Sequence, residues 1–222
     1  GIRDPEMSRG LVDVYKRQVD KTLTTEAAHA IGLALGALAK EKGISTLCVG
    51  RDGRLSGPKL ADSLIKGITD QGINVKSIGL APTPVLYFST VLTETGSGIA
   101  VTGSHNPPEY NGLKMMMDKE TLFGVGIQDL YQRIVNGLEV CETKGKVEEI
   151  DVLSPYLDKV TKDVKLARPM KVAIDCGNGV TGPLAVELFT RLGCEVTALY
   201  ADIDGHFPHH HPDPSKPANL LS

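Results

Sequence analysis

One short run, AVTGSHNPPEYNGLKMM (residues 100–116), sets Ser104 beside His105 among turn-forming residues, with Lys114 ten positions after the serine. Three readings compete for it. Thr, Gly, Ser, Asn and Pro are turn chemistry, so a plain surface loop needs no further cause. A hydrolase nucleophile needs a base and an oxyanion hole, commonly on a G-x-S-x-G elbow. This run reads T-G-S-H-N, and a histidine adjacent in sequence is badly placed to deprotonate its neighbour. A phosphate carrier suits the residue types better. A phosphoserine carries about −1.5 to −2 charges and three acceptor oxygens, so it needs cations and donors nearby. Gly103 allows close backbone approach, and His105, Asn106 and Lys114 offer the donors.

Other stretches carry chemistry of their own. CGNGVTG (176–182) is a literal G-x-G-x-x-G through Gly177, Gly179 and Gly182, with Asp202 twenty residues beyond the last glycine. After a strand and before a helix, that is the setting of a dinucleotide-binding turn, and a non-catalytic or dinucleotide-binding α/β module is the alternative function. A tight strand-to-helix turn explains the same residues without a cofactor. HFPHHHPDP gathers His206, His209, His210 and His211, yet lacks the fixed spacing and the cysteine or carboxylate partners of a zinc site. His29, among alanines, reads as a helix-surface residue. In RDGRLSG, Arg51, Asp52 and Arg54 either bind an anion at a helix start or form an ion pair that orders the loop; the ion pair is the preferred reading.

The elements that must hold these residues follow from periodicity. Thr24 caps a helix whose Ala27, Ile31, Ala34, Leu35 and Leu38 make one apolar face, ended by Gly43. STLCVG (45–50) is a buried strand. Ser56 and Pro58 start a second helix lined by Leu60, Leu64, Ile65 and Ile68. NVKSIGL (74–80) is the next strand, and a strand–helix–strand crossover makes the two parallel. APTP (81–84) breaks the chain, VLYFSTVL is a short helix and GIAVT (98–102) another buried strand. The Ser104 loop therefore leaves the end of a core strand, where open α/β sheets bind their ligands. GLKMMM (112–117) returns as a strand and IQDLYQRIVNGL forms a helix. CETKGKVEEID (141–151) is polar and unpatterned, which places a domain boundary near 150. A helix (Leu153, Leu157, Val160, Val164), the strand MKVAID, the glycine loop, the helix PLAVELFTRLG and the strand EVTALYAD then begin a second α/β unit.

The 222 residues carry 24 basic and 27 acidic side chains, a formal charge of −3. That is too near neutral for a nucleic-acid binder or a polybasic membrane anchor. The longest near-apolar stretch, AAHAIGLALGALA (27–39), is too short to cross a bilayer, and no signal-peptide pattern occurs, which favours the cytoplasm. Cys48, Cys141, Cys176 and Cys194 show no C-x-x-C spacing and read as reduced, mostly buried thiols. Residues 1–18, GIRDPEMSRGLVDVYKRQ, lack a starting methionine and a clear period; they are left unassigned, as foreign sequence would be. KPANLLS stops in a loop-like tail, so the whole reads as a fragment.

GRDGRLSGP, APTPVLY, TGSHNPPEYNGLK, DCGNGV and DGHFPHHHPDPSKP, in this order, resemble the bacterial phosphomannomutase/phosphoglucomutase members of the α-D-phosphohexomutase family over about residues 19–222. The resemblance implies a three-layer, mixed-sheet α/β domain at 19–150 and the start of a second, similar domain at 151–222. It also implies an enzyme that exchanges hexose 1-phosphate and hexose 6-phosphate through a phosphoserine and a sugar bisphosphate. Ser104 matches the phosphorylated serine, His105 a loop residue near the transferring group, and Lys114 a lysine that assists proton transfer. Lys114 and Asn106 fall on the substrate's side. Magnesium, bound partly by the phosphate on Ser104, and glucose or mannose 1,6-bisphosphate as activator come with the family. The partners implied are hexose phosphates, with no nucleic acid and no membrane. The family's D-G-D-x-D-R metal segment and its third and fourth domains do not occur in these residues, so a fragment inactive by itself is expected. Tyr15 and Arg17 or Arg9 are candidates for the family's early tyrosine and arginine and are not carried over.

Overall fold

A computed structural model describes residues 17–220. The centre is β2 (Thr46–Arg51), whose Leu47, Cys48, Val49 and Gly50 are all buried. β3 (Asn74–Leu80) pairs with it in parallel on one side and β4 (Gly98–Val101) on the other. β6 (Leu113–Met117) runs antiparallel to β4, and β7 (Glu120–Thr121) antiparallel to β6. With β8 (Val147–Glu149) beside β3, the sheet has six strands in the order β7-β6-β4-β2-β3-β8. A two-residue strand at the front of the described chain, β1 (Arg17–Gln18), pairs antiparallel with β5 (Tyr110–Asn111). Tyr15 and Arg9 lie outside the described residues.

Alternation along these strands makes three layers. Leu47, Val49, Ile99, Val101, Leu113, Met115 and Met117 face α1 (Thr25–Glu41), α2 (Gly57–Asp70) and α4 (Val125–Asn136). Cys48 and Ala100 face the other way, toward Val85 and Leu86 of α3 (Thr83–Leu92), with Leu153 and Tyr156 of α5 (Leu153–Asp163) packed alongside. Two apolar faces on one sheet demand helices on both sides. The mixed-sheet α/β architecture is as expected. No helix among the described residues is long and apolar enough to cross a membrane.

Local signals mostly act as read. The Thr24 hydroxyl accepts a hydrogen bond from the Ala27 amide, and Gly43 closes the end of α1 at φ +71°. Ser56 precedes α2 but makes no cap; its hydroxyl accepts instead from Asn111 Nδ2 and so ties α2 to the far end of the Ser104 loop. The polar stretch 141–151 contains β8, which pattern alone passes over. It is three residues long and exposed at the sheet edge, so no hydrophobic period marks it. The second α/β unit has β9 (Lys171–Asp175) and β10 (Glu195–Leu199) in parallel, with α6 (Gly182–Arg191) between them.

α1 and α2 cross at glycines. A Cβ at Gly67 would overlap the His29 carbonyl oxygen, and one at Gly32 would lie 3.0 Å from the Gly67 Cα. His29 is not a bare surface residue. Its Nε2 lies 2.8 Å from the Asp70 carboxylate, which also takes Lys66 Nζ at 2.6 Å and Lys144 Nζ at 2.9 Å. Asp70 is buried in the last turn of α2, where the helix dipole disfavours a carboxylate. Hydrogen bonds from Lys66 first, then His29 and Lys144, nevertheless hold its pKa far below the usual carboxylate range against the cost of burial.

Two outcomes follow for stability. Gly67→Ala forces the helices apart and lowers unfolding free energy by roughly 1–3 kcal/mol, read by urea denaturation. For Asp70, a depressed folded-state pKa means its contribution is complete above the unfolded value near 4 and is lost as pH falls below it. Asp70→Asn therefore costs about 1–2 kcal/mol at pH 7, a modest value because both lysine side chains are exposed. The gap from the parent protein narrows between pH 4 and pH 2; a gap that is constant down to pH 3 contradicts the assignment.

Candidate active site

The loop that leaves β4 turns on Ser104, whose φ of +55° lies in the left-handed region that non-glycine residues seldom occupy. Such a conformation persists only where the surroundings hold it. Asp52 and Arg54, from the loop after β2, supply that hold. The Asp52 carboxylate accepts from Thr102 Oγ1 at 2.7 Å, from the Gly103 amide at 3.2 Å, and from the amide and Nε of Arg54 at 3.0 and 3.3 Å. Thr102 Oγ1 in turn accepts from the Ser104 amide at 3.0 Å. Arg54 is 1 % exposed, and its two terminal nitrogens donate to four loop carbonyls: Ser104, Asn106, Pro107 and Tyr110. Gly103 is required here, because a Cβ would overlap the guanidinium and sit 2.6 Å from the Tyr110 carbonyl oxygen. The preferred ion-pair reading of Asp52 and Arg54 holds, and it orders a second loop as well as its own.

β6 brings Lys114 back. In the antiparallel ladder Lys114 lies opposite Ala100, four residues before Ser104. Leu113, Met115 and Met117 are buried on the α1–α2 side, so the alternating position puts Lys114 on the opposite face. There a cleft of about 300 Å³ opens, lined by Ser104, His105, Lys114, Asp52 and Thr102 together with residues the sequence reading did not single out. These are Pro82 and Thr83 at the start of α3, Val180 and Thr181 at the start of α6, and Phe207. Neither helix has a side-chain cap, and each turns the positive end of its dipole toward the same space. The signals were a threonine with a proline one or two residues on, in APTP and VTGP; what no local pattern tells is that two such starts converge.

Ser104, His105 and Lys114 thus come together, with His105 exposed and the other two partly so. Asn106 does not line the cleft. Its carbonyl is held by Arg54 and its amide donates to the Gly103 carbonyl, so its backbone belongs to the loop's own scaffold. The Gly177–Gly182 turn is closed by its own chain. The Asn178 amide donates to the Tyr200 carbonyl, its carbonyl accepts from the Asp204 amide, and its Nδ2 donates to the Asp202 carbonyl. The histidines serve the same turn: His209 meets Asn178 Oδ1 and stacks on Tyr200, while His210 meets the Asp175 carboxylate. Acceptance by Asp175 and a bond to the His211 carbonyl raise the His210 pKa, the backbone bond first. The tail reaches the Ser104 loop as well. The Phe207 ring centroid lies 5.2 Å from the Arg54 guanidinium carbon, and His105 adds to the positive field at Asp213, whose pKa is lowered mainly by Ser215.

For a metal, the test is the donor set. Among the described residues no three His, Cys, Asp or Glu side chains gather around one point. The one cleft carboxylate, Asp52, is committed to Thr102, Gly103 and Arg54. The side chains present do not by themselves make a magnesium site.

Comparison with known proteins agrees with this arrangement. Residues 9–137 match the family model described as phosphoglucomutase/phosphomannomutase, alpha/beta/alpha domain I, and residues 154–222 match the model for domain II of the same family. The chain is 52 % identical over 203 residues to a phosphoglucomutase of Neisseria meningitidis serogroup B, covering 91 % of this chain and 44 % of that one. It is 48 % identical over 202 residues to a phosphomannomutase/phosphoglucomutase of Pseudomonas aeruginosa, covering 91 % and 43 %. A crystal structure of a phosphoglucomutase/phosphomannomutase family protein from Burkholderia thailandensis superposes with a TM-score of 0.90 at 44 % identity, over 95 % of this chain and 48 % of that one. A Thermus thermophilus structure with TM-score 0.81 at 20 % identity, over 96 % of this chain and 50 % of that one, shares the fold. The chain spans less than half the length of the curated relatives it matches. On these matches and on the site they enclose, the chain belongs to the phosphoglucomutase/phosphomannomutase family.

Proposed function

We propose that the protein carrying this chain is a phosphohexomutase that exchanges hexose 1-phosphate and hexose 6-phosphate through a phosphoryl group carried on Ser104. Residues 19–150 serve as its first domain and 151–222 as the beginning of its second. The observation that carries the reading is one cleft in which a conformationally fixed serine, a lysine and the starts of two helices meet. Phosphoryl transfer asks a protein mainly to position groups and offset charge, and this cleft does both.

In the forward half-reaction the bond from phosphorus to Ser104 Oγ breaks and a bond from phosphorus to the free sugar hydroxyl forms. The hydroxyl loses its proton and the serine oxygen regains one. Lys114 stands where it can assist that proton movement and offset phosphate charge, as a compact cation on a flexible stem does. The product is a hexose bisphosphate. After it reverses its orientation, its other phosphate passes to Ser104 by the same steps run backwards. His105, exposed at the mouth beside Ser104, contributes donors to the transferring group. Asn106 contributes through the loop's shape. Glucose or mannose 1,6-bisphosphate primes the serine. Magnesium, when bound, offsets charge on the phosphate oxygens; apart from the phosphate on Ser104 its ligands come from outside these residues, and no step above is routed through it. With less than half the length of its relatives, the chain by itself is expected to turn over hexose phosphates little or not at all.

Incubating the full-length protein with glucose 1,6-bisphosphate should add one phosphoryl group by intact mass, and Ser104→Ala should abolish both the addition and the isomerisation. An alanine variant that still isomerises hexose phosphates removes the carrier role. Lys114→Met should lower turnover about 10²–10⁴-fold while leaving thermal stability near that of the parent; a change under threefold would exclude Lys114 from the proton transfer.

A further inference from the structure

Arg54 is wholly enclosed, so its side chain touches no substrate, yet each of its five N–H groups is directed at the Ser104 loop or at the carboxylate that holds it. Nε serves Asp52, and the two terminal nitrogens serve the Ser104, Asn106, Pro107 and Tyr110 carbonyls. The Gly103 carbonyl is taken by the Asn106 amide. The negative ends of five loop dipoles are thereby engaged inside the protein. A carbonyl oxygen left free beside Ser104 would oppose a group bearing nearly two negative charges.

We propose that Arg54 is a positioning residue for phosphoryl transfer at Ser104: by holding four loop carbonyls beneath the loop it fixes the serine's left-handed backbone and keeps those oxygens off the transferring phosphate. The inference rests on Ser104 being the carrier. A planar fork of five donors fits this task, and an ammonium with three does not. Substituting lysine keeps the charge and leaves at least two of the five acceptors without their bond from residue 54. Phe207, from the second α/β unit, places its ring centroid 5.2 Å from the guanidinium carbon and lines the cleft beside it.

The test uses the full-length protein and compares it with Arg54→Lys. Intact mass after glucose 1,6-bisphosphate gives the fraction of Ser104 phosphorylated, and turnover is expressed per phosphorylated serine, which removes any loss due to misfolded molecules. A phosphorus NMR titration of the phosphoserine reads the local field. Arg54→Lys should lower turnover per phosphorylated serine roughly a hundredfold with KM for hexose 1-phosphate within a few-fold. It should also raise the second phosphoserine pKa above its ordinary value near 6, since freed carbonyls disfavour the dianion. A folded Arg54→Lys protein with parental turnover per site and an unmoved titration overturns the inference. If that variant fails to fold, Thr102→Val decides. It removes the hydroxyl linking Asp52 to the Ser104 amide, and the same two readouts should shift the same way by a smaller amount. Unchanged readouts in Thr102→Val likewise overturn the proposal. A parent protein that takes no phosphate at Ser104 overturns the carrier reading itself, and that result is visible before any variant is made.

Discussion

A single enclosed cation organises the end of the sheet. Removing an arginine side chain from water is costly, and burial pulls the Arg54 pKa down while Asp52 and Glu109 oppose it. What offsets the cost is complete hydrogen bonding, to one carboxylate and four carbonyls. The two loops that follow adjacent parallel strands β2 and β4 are thereby fastened to one another rather than left to solvent. A loop rich in glycine and proline acquires the rigidity of a core element, and a serine can occupy backbone space that would otherwise suit glycine.

The second α/β unit takes part in the same arrangement. Its glycine turn is locked by buried Asn178, and its histidine-rich tail runs back along that turn through His209 and His210. Phe207 then meets Arg54, and the start of α6 meets the start of α3 across the cleft. Leu184 joins the apolar cluster of Val85, Leu86 and Val152 beneath. Residues that look in sequence like a nucleotide cradle and a metal cluster therefore contribute shape and dipole orientation.

The alternating layers, the crossovers and the strand end that bears Ser104 were legible because burial on both sheet faces writes itself into runs such as STLCVG and GIAVT. The return of Lys114 was legible for the same reason, since GLKMMM is apolar enough to pair. β8 was not, because a short edge strand gains its stability from backbone bonds to β3 and needs no apolar side chains. The partnership of His29 with Asp70 spans 41 residues, and Arg54's reach to the loop carbonyls spans 50 to 56; no local pattern encodes contacts so distant in sequence. Family resemblance pointed to Ser104, His105 and Lys114. The threonines at the helix starts, and the carbonyls that Arg54 holds beyond its expected partner Asp52, emerge only when the chain is folded, since each matters through what it faces.

The methionine-rich strand β6 has a consequence for the cleft on the other side of the sheet. Leu113, Met115 and Met117 occupy the apolar side of the sheet, and Lys114 takes the cleft side by parity alone. A slip of one residue in the β4–β6 pairing would send three large side chains toward the cleft and turn the ammonium into the oil. The aim of the lysine is thus set by neighbours chosen for greasiness, and mutations that loosen this strand will move the ammonium in the cleft before they unfold the sheet.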